Sequence, residues 1–211
     1  MMDTVVKRRR KKLDPDPGVR DALVNAAAEI VRDEGIAAVN VAKVLDRAEL
    51  STRAFYRHFD SKDALIAAVF LQMARAEARR LKRKMATAPN PADAVVAWID
   101  GRLDLAFNEQ IRSDLRKMSL EAQTQTFAAP QLVGEAYREI LKPLVEQLEK
   151  GRAAELFPGI DPGADALSIH GAIWASVERQ WSTGDCDRNA VREQVVRFCM
   201  RGLGVPQREG R

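Results

Sequence analysis

Only Ala48, Glu49 and Leu50 separate two stretches that both read as short helices, and this tight join limits the fold more than any other feature of the chain. Asn40 is a good N-cap for the first, whose inner face is Val41, Val44 and Leu45. Ser51 caps the second, which opens the run "STRAFYRHFDSK", residues 51–62. Two short helices joined by such a turn make a helix-turn-helix pattern. Upstream, Asp16 and Pro17 start a longer helix, because proline at the first helical position gives up an N–H that has no partner there. Val19, Leu23, Ala26, Ala27, Ile30 and Val31 follow at helical spacing, and Gly35 ends it.

Asp60 or Ser61 restarts the chain as a long fourth helix with Leu65, Val69 and Met73 on one apolar side. Its last turns, "RRLKRK" (79–84), put cations at the negative end of the helix dipole, which explains them without DNA. "TAPNPAD" (87–93) is the clearest internal break. Helical spacing resumes over 91–107 (Val95, Trp98, Ile99, Leu103, Phe107) and 109–123 (Ile111, Leu115, Met118, Ala122). It returns over 131–150, where Pro143 is expected to kink the helix, and over 163–182 and 187–203. No run alternates as a strand would, and no internal repeat stands out. The expectation is an all-α fold of about nine helices. A three-helix head (16–66) leads through the fourth helix, to about residue 86, into a helical domain over 87–211. Residues 1–15, with "KRRRKK" and "LDPDPG", are expected to form a disordered basic arm.

Composition narrows the function. No apolar run approaches the roughly 18 residues a membrane helix needs, and no apolar stretch follows Lys7 to Lys12 as a secretory signal would require. Cys186 and Cys199 have no histidines at metal-ligand spacing, so neither a metal nor a cofactor is expected, and a reduced cytoplasm is the default. The two cysteines and two histidines offer no nucleophile–base–orienter set, and no phosphate-binding glycine pattern occurs. An enzyme is therefore the weakest class. Residues 1–90 hold 19 Lys/Arg against 12 Asp/Glu, and residues 91–211 hold 15 against 18. A polyanion partner for the first part would explain this imbalance, although the six cations of Lys7 to Lys12 supply most of it.

The rings of residues 51–59 divide by face. Phe55 and Phe59 lie four apart and can lock the helix against the first helix, while Thr52, Arg53 and Tyr56 line an exposed side near its start. A recognition helix needs that division, with rings for anchorage and polar tips for base edges and phosphates. The stretch "GIAAVNVAKVLDRAELSTRAFYRHFDSKDALI" resembles the N-terminal DNA-binding domain of the TetR family of transcriptional regulators, over roughly residues 18–66. The carrying elements are the run Phe55 to Phe59, the Ser61-Lys62 step and Leu65. The resemblance implies that Ser51, Thr52 and Arg53 open the recognition helix, with Thr52 and Arg53 reading bases. It makes Tyr56, His58 and Lys62 phosphate contacts, and Asn40 a cap that touches DNA backbone with Lys43 nearby. Two positions depart from the pattern: Glu49 stands where glycine is usual, and Leu45 replaces a small residue. A non-glycine residue in a left-handed turn costs roughly 1–2 kcal/mol. The basic arm either enters a minor groove or adds non-specific affinity through counterion release.

The resemblance also implies a homodimer on double-stranded DNA and a small-molecule effector bound by the C-terminal half, making the protein a ligand-responsive regulator and a repressor. The alternative is a DNA-binding protein without an effector. Trp98, Phe107, Met118, Phe127 and Tyr137 are candidate pocket linings, with Arg102, Asp104, Arg112 and Glu121 to orient a polar group. Residues 163–182 carry two apolar stripes: His170, Trp174, Val177 and Trp181, and beside them Ala166, Ile169, Ile173 and Ser176. One stripe can serve the chain's own core and the other a partner. Ile169, Ile173, Trp174, Val177, Val191, Val195 and Phe198 are then the candidate dimer contacts, unless both stripes are simply core.

Overall fold

A computed structural model describes residues 16–107, 130–183 and 187–205, and within them the side chains of Leu105, Ala106, Leu132 and Trp181 are not described. Among the described residues there are eight α-helices, one 3-10 turn and no strand, so the fold is all-α as the periodicity requires. The chain divides into two compact units between Leu65 and Ile66, inside its fourth helix.

The first unit is built from α1 (Pro17–Glu34), a 3-10 turn (Ile36–Ala38), α2 (Val41–Ala48), α3 (Thr52–His58) and the start of α4 (Lys62–Met85). Its helix ends are satisfied locally. Asp16 accepts from the Gly18 N–H at 2.9 Å, Asn40 from Lys43 at 2.9 Å, Ser51 from Ala54 at 3.3 Å and Ser61 from Ala64 at 3.1 Å. The turn between α2 and α3 keeps its left-handed residue although glycine is absent, with Glu49 at φ 53°, ψ 40°. The Leu50 N–H reaches the Leu45 carbonyl at 3.0 Å and the Glu49 N–H reaches Asp46 at 3.3 Å, the paired bonds of a Schellman cap. Leu23, Ala27, Ile30, Val44, Phe55 and Leu65 are wholly buried and form the core of this unit.

The second unit contains the rest of α4 with α5 (Pro91–Phe107), α6 (Pro130–Ala153), α7 (Pro162–Thr183) and α8 (Arg188–Gly202). Helix α5 is central and packs on α6, α7 and α8. Its Trp98, Ile99 and Leu103 meet Leu81 of α4, Leu144 and Leu148 of α6, Ile173 of α7 and Val195 of α8 in one core. Gly101 lets α4 approach α5, since a Cβ there would sit 2.6 Å from a Leu81 methyl. At that approach Arg80 donates to the Gly101 carbonyl at 2.6 Å. Helix α6 runs through Pro143 without ending. "TAPNPAD" holds the turn between α4 and α5 within this unit and the first residues of α5, and Asn90 caps α5 by accepting from the Asp93 N–H at 2.9 Å.

One expectation needs correction. Met73 is not part of the buried side of α4, being 42% exposed, whereas Leu65, Val69, Phe70 and Ala74 are buried. A four-residue step overshoots one helical turn by about 40°, so the line drifts round the helix and Met73 lies about 80° from Leu65. The expected disordered arm (1–15) and the helix expected over 109–123, with Met118, lie outside the described residues.

Candidate functional site

In the first unit, α3 is held by its rings and offers its polar tips. Phe55 is wholly buried and Phe59 is 4% exposed, with their centroids 5.9 Å apart. The Arg20 guanidinium of α1 lies 5.2 Å from the Phe59 centroid. Tyr56 rests edge-on against Phe55 at 5.2 Å yet is 60% exposed. A tyrosine so placed is anchored by its ring while its hydroxyl remains in solvent. Ser51, Thr52, Arg53 and Lys62 are exposed, and His58 is half-buried at the last turn of α3. Asn40 is exposed, and its side chain is used to cap α2.

Lys43 is differently placed. Its ammonium is bonded to Glu34 at the end of α1, and Arg47 reaches Asp33 at 3.4 Å. These pairs tie α2 to α1 and give Lys43 an intramolecular anion in competition with any phosphate. Sequence spacing gave no sign of this, because the partners are nine residues apart on different helices.

In the second unit, two of the candidate pocket linings meet around a residue not counted among them. The His170 ring of α7 lies 6.2 Å from Trp98, 5.7 Å from Tyr137 of α6 and 6.0 Å from Trp174, each contact edge-on. Arg102 lies over Trp174 with its guanidinium carbon 5.4 Å from the ring centroid. Arg102 is 5% exposed, and it bonds Glu77 of α4 at 3.1 Å, which Arg80 also holds at 2.8 Å. Burial pushes the Arg102 guanidinium down from its ordinary value, against the pull of Glu77. Burial alone would raise the Glu77 carboxyl, but the bond from Arg80 and the charge of Arg102 hold it below the usual carboxylate range. His170 is pushed down to about 3, by burial first and then by the Arg102 charge, so at neutral pH it is an uncharged imidazole. The spacing of Trp98 to Arg102 and of His170 to Trp174, one helical turn in each case, was the available signal for this cluster.

Phe107 is half-buried and packs on the core, without a described contact to His170. Met118, Phe127, Arg112 and Glu121 lie outside the described residues. Asp104 is taken by Lys84 and Arg188. An open groove between α4 and α6 is lined by Arg75, Arg79, Lys82, Glu139, Lys142 and Glu146, a mixed-charge surface without aromatic walls. Burial pushes the Cys199 thiol up to about 11, so it is no nucleophile. Among the described residues no His, Cys, Asp or Glu group could hold a metal, and no helix is long and apolar enough to cross a membrane.

Burial places most of the candidate dimer contacts in the core of their own chain. Ile169, Ile173, Val177, Val191 and Val195 belong to the core of their own chain, each at most 4% exposed, and Trp174 packs against that core. Ala166, Ile169, His170, Ile173 and Val177, drawn from both stripes, are buried on a helix that contacts α5, α6 and α8. Phe198 alone of the set is exposed, at 65%, and Leu167 at 58% is the large apolar residue on the outer side of α7.

A capped helix-turn-helix with exposed polar tips opens a chain that is helical throughout its described residues. Residues 23–69 match the family model described as bacterial regulatory proteins, tetR family. The chain carries the TetR-family N-terminal domain and has the fold of that family's transcriptional regulators. No curated protein matches the sequence. Among solved structures, RolR in complex with its ligand resorcinol is 15% identical, over 89% of this chain and 88% of that one, with a TM-score of 0.66. FadR from Bacillus subtilis in complex with stearoyl-CoA is 18% identical over 86% and 98%, with a TM-score of 0.65. A putative TetR-family regulator from Rhodococcus sp. is 16% identical over 85% and 95%, also at 0.65.

Proposed function

We propose that this protein is a ligand-responsive transcriptional repressor that binds a palindromic operator as a homodimer. The observation that carries the reading is α3: its anchoring Phe55 and the following Phe59 are buried while Thr52, Arg53 and Tyr56 stand in solvent. Ser51 caps the recognition helix, Thr52 and Arg53 read base edges, Tyr56, His58 and Lys62 bind phosphates, and Asn40 touches DNA backbone with Lys43 nearby. Residues 16–66 form the DNA-reading domain, residues 87–211 the effector and dimerisation domain, and α4 the connector. Two relatives by fold are bound to small organic ligands, resorcinol in one and stearoyl-CoA in the other, which supports an effector here. The outer face of α7 and α8, with Leu167 and Phe198, is the surface offered to a second copy. Cytoplasmic DNA is the partner, and no catalysis is assigned.

Effector binding acts through α4, one continuous helix that begins at Lys62 and carries Glu77. Coupling of about 1–3 kcal/mol would change operator affinity about 5–150-fold, with the same factor on ligand affinity. Gel shifts with the DNA flanking its own gene, repeated with a metabolite panel, test the reading. Specific retention of that DNA, lost on adding a compound, is expected. Binding indifferent to sequence and to every compound would overturn it. Sedimentation should give a dimer whose half-sites lie about 34–36 Å apart or a multiple of that.

A further inference from the structure

Trp98 Nε1, Arg102 Nε and His170 Nδ1 are buried without a hydrogen-bond partner among the described residues. Their side chains are 0%, 5% and 8% exposed, so solvent does not replace the missing partners. Buried polar atoms without partners are rare in folded proteins, and three beside one another need an explanation. They sit on two rungs between α5 and α7. Trp98 faces His170, and one turn further along both helices Arg102 faces Trp174. Tyr137 of α6 flanks His170 on another side. Tyr137 and Trp174 are only half-buried, so the cluster is not sealed inside the core.

The unpaired atoms define what would satisfy them. Indole and guanidinium nitrogens only donate, so Trp98 and Arg102 require an acceptor. Charge points the same way. Among the described ion pairs here, two carboxylates, Glu77 and Asp104, are shared among four cations, Arg80, Arg102, Lys84 and Arg188. His170, with its second nitrogen, can donate to an acceptor or accept from a hydroxyl. The surrounding faces and edges belong to three aromatic rings and an imidazole, which favour a flat π-system.

We propose that the effector is a planar aromatic compound bearing a carboxylate, packed among Trp98, Tyr137, His170 and Trp174, with its carboxylate accepting from Arg102 Nε and Trp98 Nε1. This rests on the proposed reading of residues 87–211 as an effector domain. It also names a route to α4, since an acid group on Arg102 competes with Glu77 for the same guanidinium.

Titration calorimetry on the full-length protein, with benzoate, salicylate and 1-naphthoate, tests it against benzamide, 1-naphthamide and octanoate. At least one aromatic carboxylate should bind once per chain, roughly tenfold or more tighter than its amide, the scale of a charged hydrogen bond. Trp98→Phe keeps a ring but removes the donor, and should weaken the carboxylate while leaving the amide nearly unchanged. Failure of all three carboxylates to bind would overturn the assignment. So would an amide or octanoate binding as tightly, or a carboxylate affinity unaltered in Trp98→Phe. Gel shifts separate the two claims. An aromatic carboxylate that binds without altering DNA affinity would keep the ligand class and sink the effector reading. Release from DNA by an uncharged or aliphatic compound, with no aromatic carboxylate bound, would do the reverse.

Discussion

Replacing His170 by phenylalanine should remove a specific sensitivity to acid. In the folded chain His170 is held down to about 3, against an ordinary 6.5, by burial among Trp98, Tyr137 and Trp174 and by the Arg102 charge. An unfolded chain takes up this proton as pH falls below about 6.5, while the folded chain does not. The stability tied to the neutral ring is therefore full above that pH and drains away as pH falls towards 3. The whole effect is on the order of 4–5 kcal/mol, and about 2 kcal/mol of it should be lost between pH 7 and pH 5. Glu77 and Asp104 are held below the ordinary carboxylate range, so they stay charged over this interval in both proteins. Urea unfolding followed by tryptophan fluorescence is the assay, because Trp98, Trp174 and Trp181 all lie beyond Ile66 and report the second unit alone. Protein concentration must be matched, since a dimer adds its own stability. Wild type should lose about 2 kcal/mol more than His170→Phe on going from pH 7 to pH 5. Equal losses would refute the argument, because the ring would then be taking up its proton without cost.

Glu49→Gly should stabilise the first unit by about 0.5–1 kcal/mol, since relief of left-handed strain outweighs the added freedom of the unfolded chain; slower hydrogen exchange at the Leu50 and Phe55 amides would register it. Tyr56→Phe and Lys62→Ala should weaken binding to all DNA sequences alike, whereas Thr52 or Arg53 substitution should change preference at a few positions by about 1–3 kcal/mol, and binding-site selection with each variant distinguishes the two. Leu167→Asp combined with Phe198→Asp should shift the chain to a monomer in sedimentation without unfolding it, because both side chains are exposed in the single chain. Glu77→Gln should cost about 3 kcal/mol in urea unfolding, because Arg102 would remain buried without its counterion.

The head was legible because its information is local. Caps at Asp16, Asn40 and Ser51, the ring spacing of Phe55 and Phe59, and the ends of α2 and α3 all involve residues at most five apart in sequence, where helical geometry is decisive. Even Glu49 was readable as a strained position, and the turn keeps its left-handed form there. In the second unit the helices 91–107, 163–182 and 187–203 were found within a residue or two. Which face of each turned inward was not. An apolar stripe shows that a helix is covered and not what covers it. The two stripes of α7 suggest a division between core and partner, although α7 contacts three neighbouring helices and residues of both stripes are buried. The pairing of Arg102 with Glu77 and the meeting of Trp98 with His170 join residues 25 and 72 apart, and no periodicity within one helix records such contacts.

The two units also differ in how they treat polar groups. In the first, side-chain caps and the ion pairs of Lys43 and Arg47 meet local needs, and the remaining polar tips point to solvent. A module that meets a rigid polyanion gains from being settled beforehand, because little ordering is then paid on binding. The second unit buries an arginine, an uncharged histidine and an indole N–H together and leaves an atom of each without a partner among the described residues. Such an arrangement lowers the stability of the unit as it stands, and apolar side chains of similar volume would pack there at less cost. Departures of this kind from local consistency are expected where function is carried. A group that arrives from outside can both satisfy the unpaired donors and alter the hold of Arg102 on Glu77. The same unmet bonds would then supply affinity for the effector and the force that moves α4.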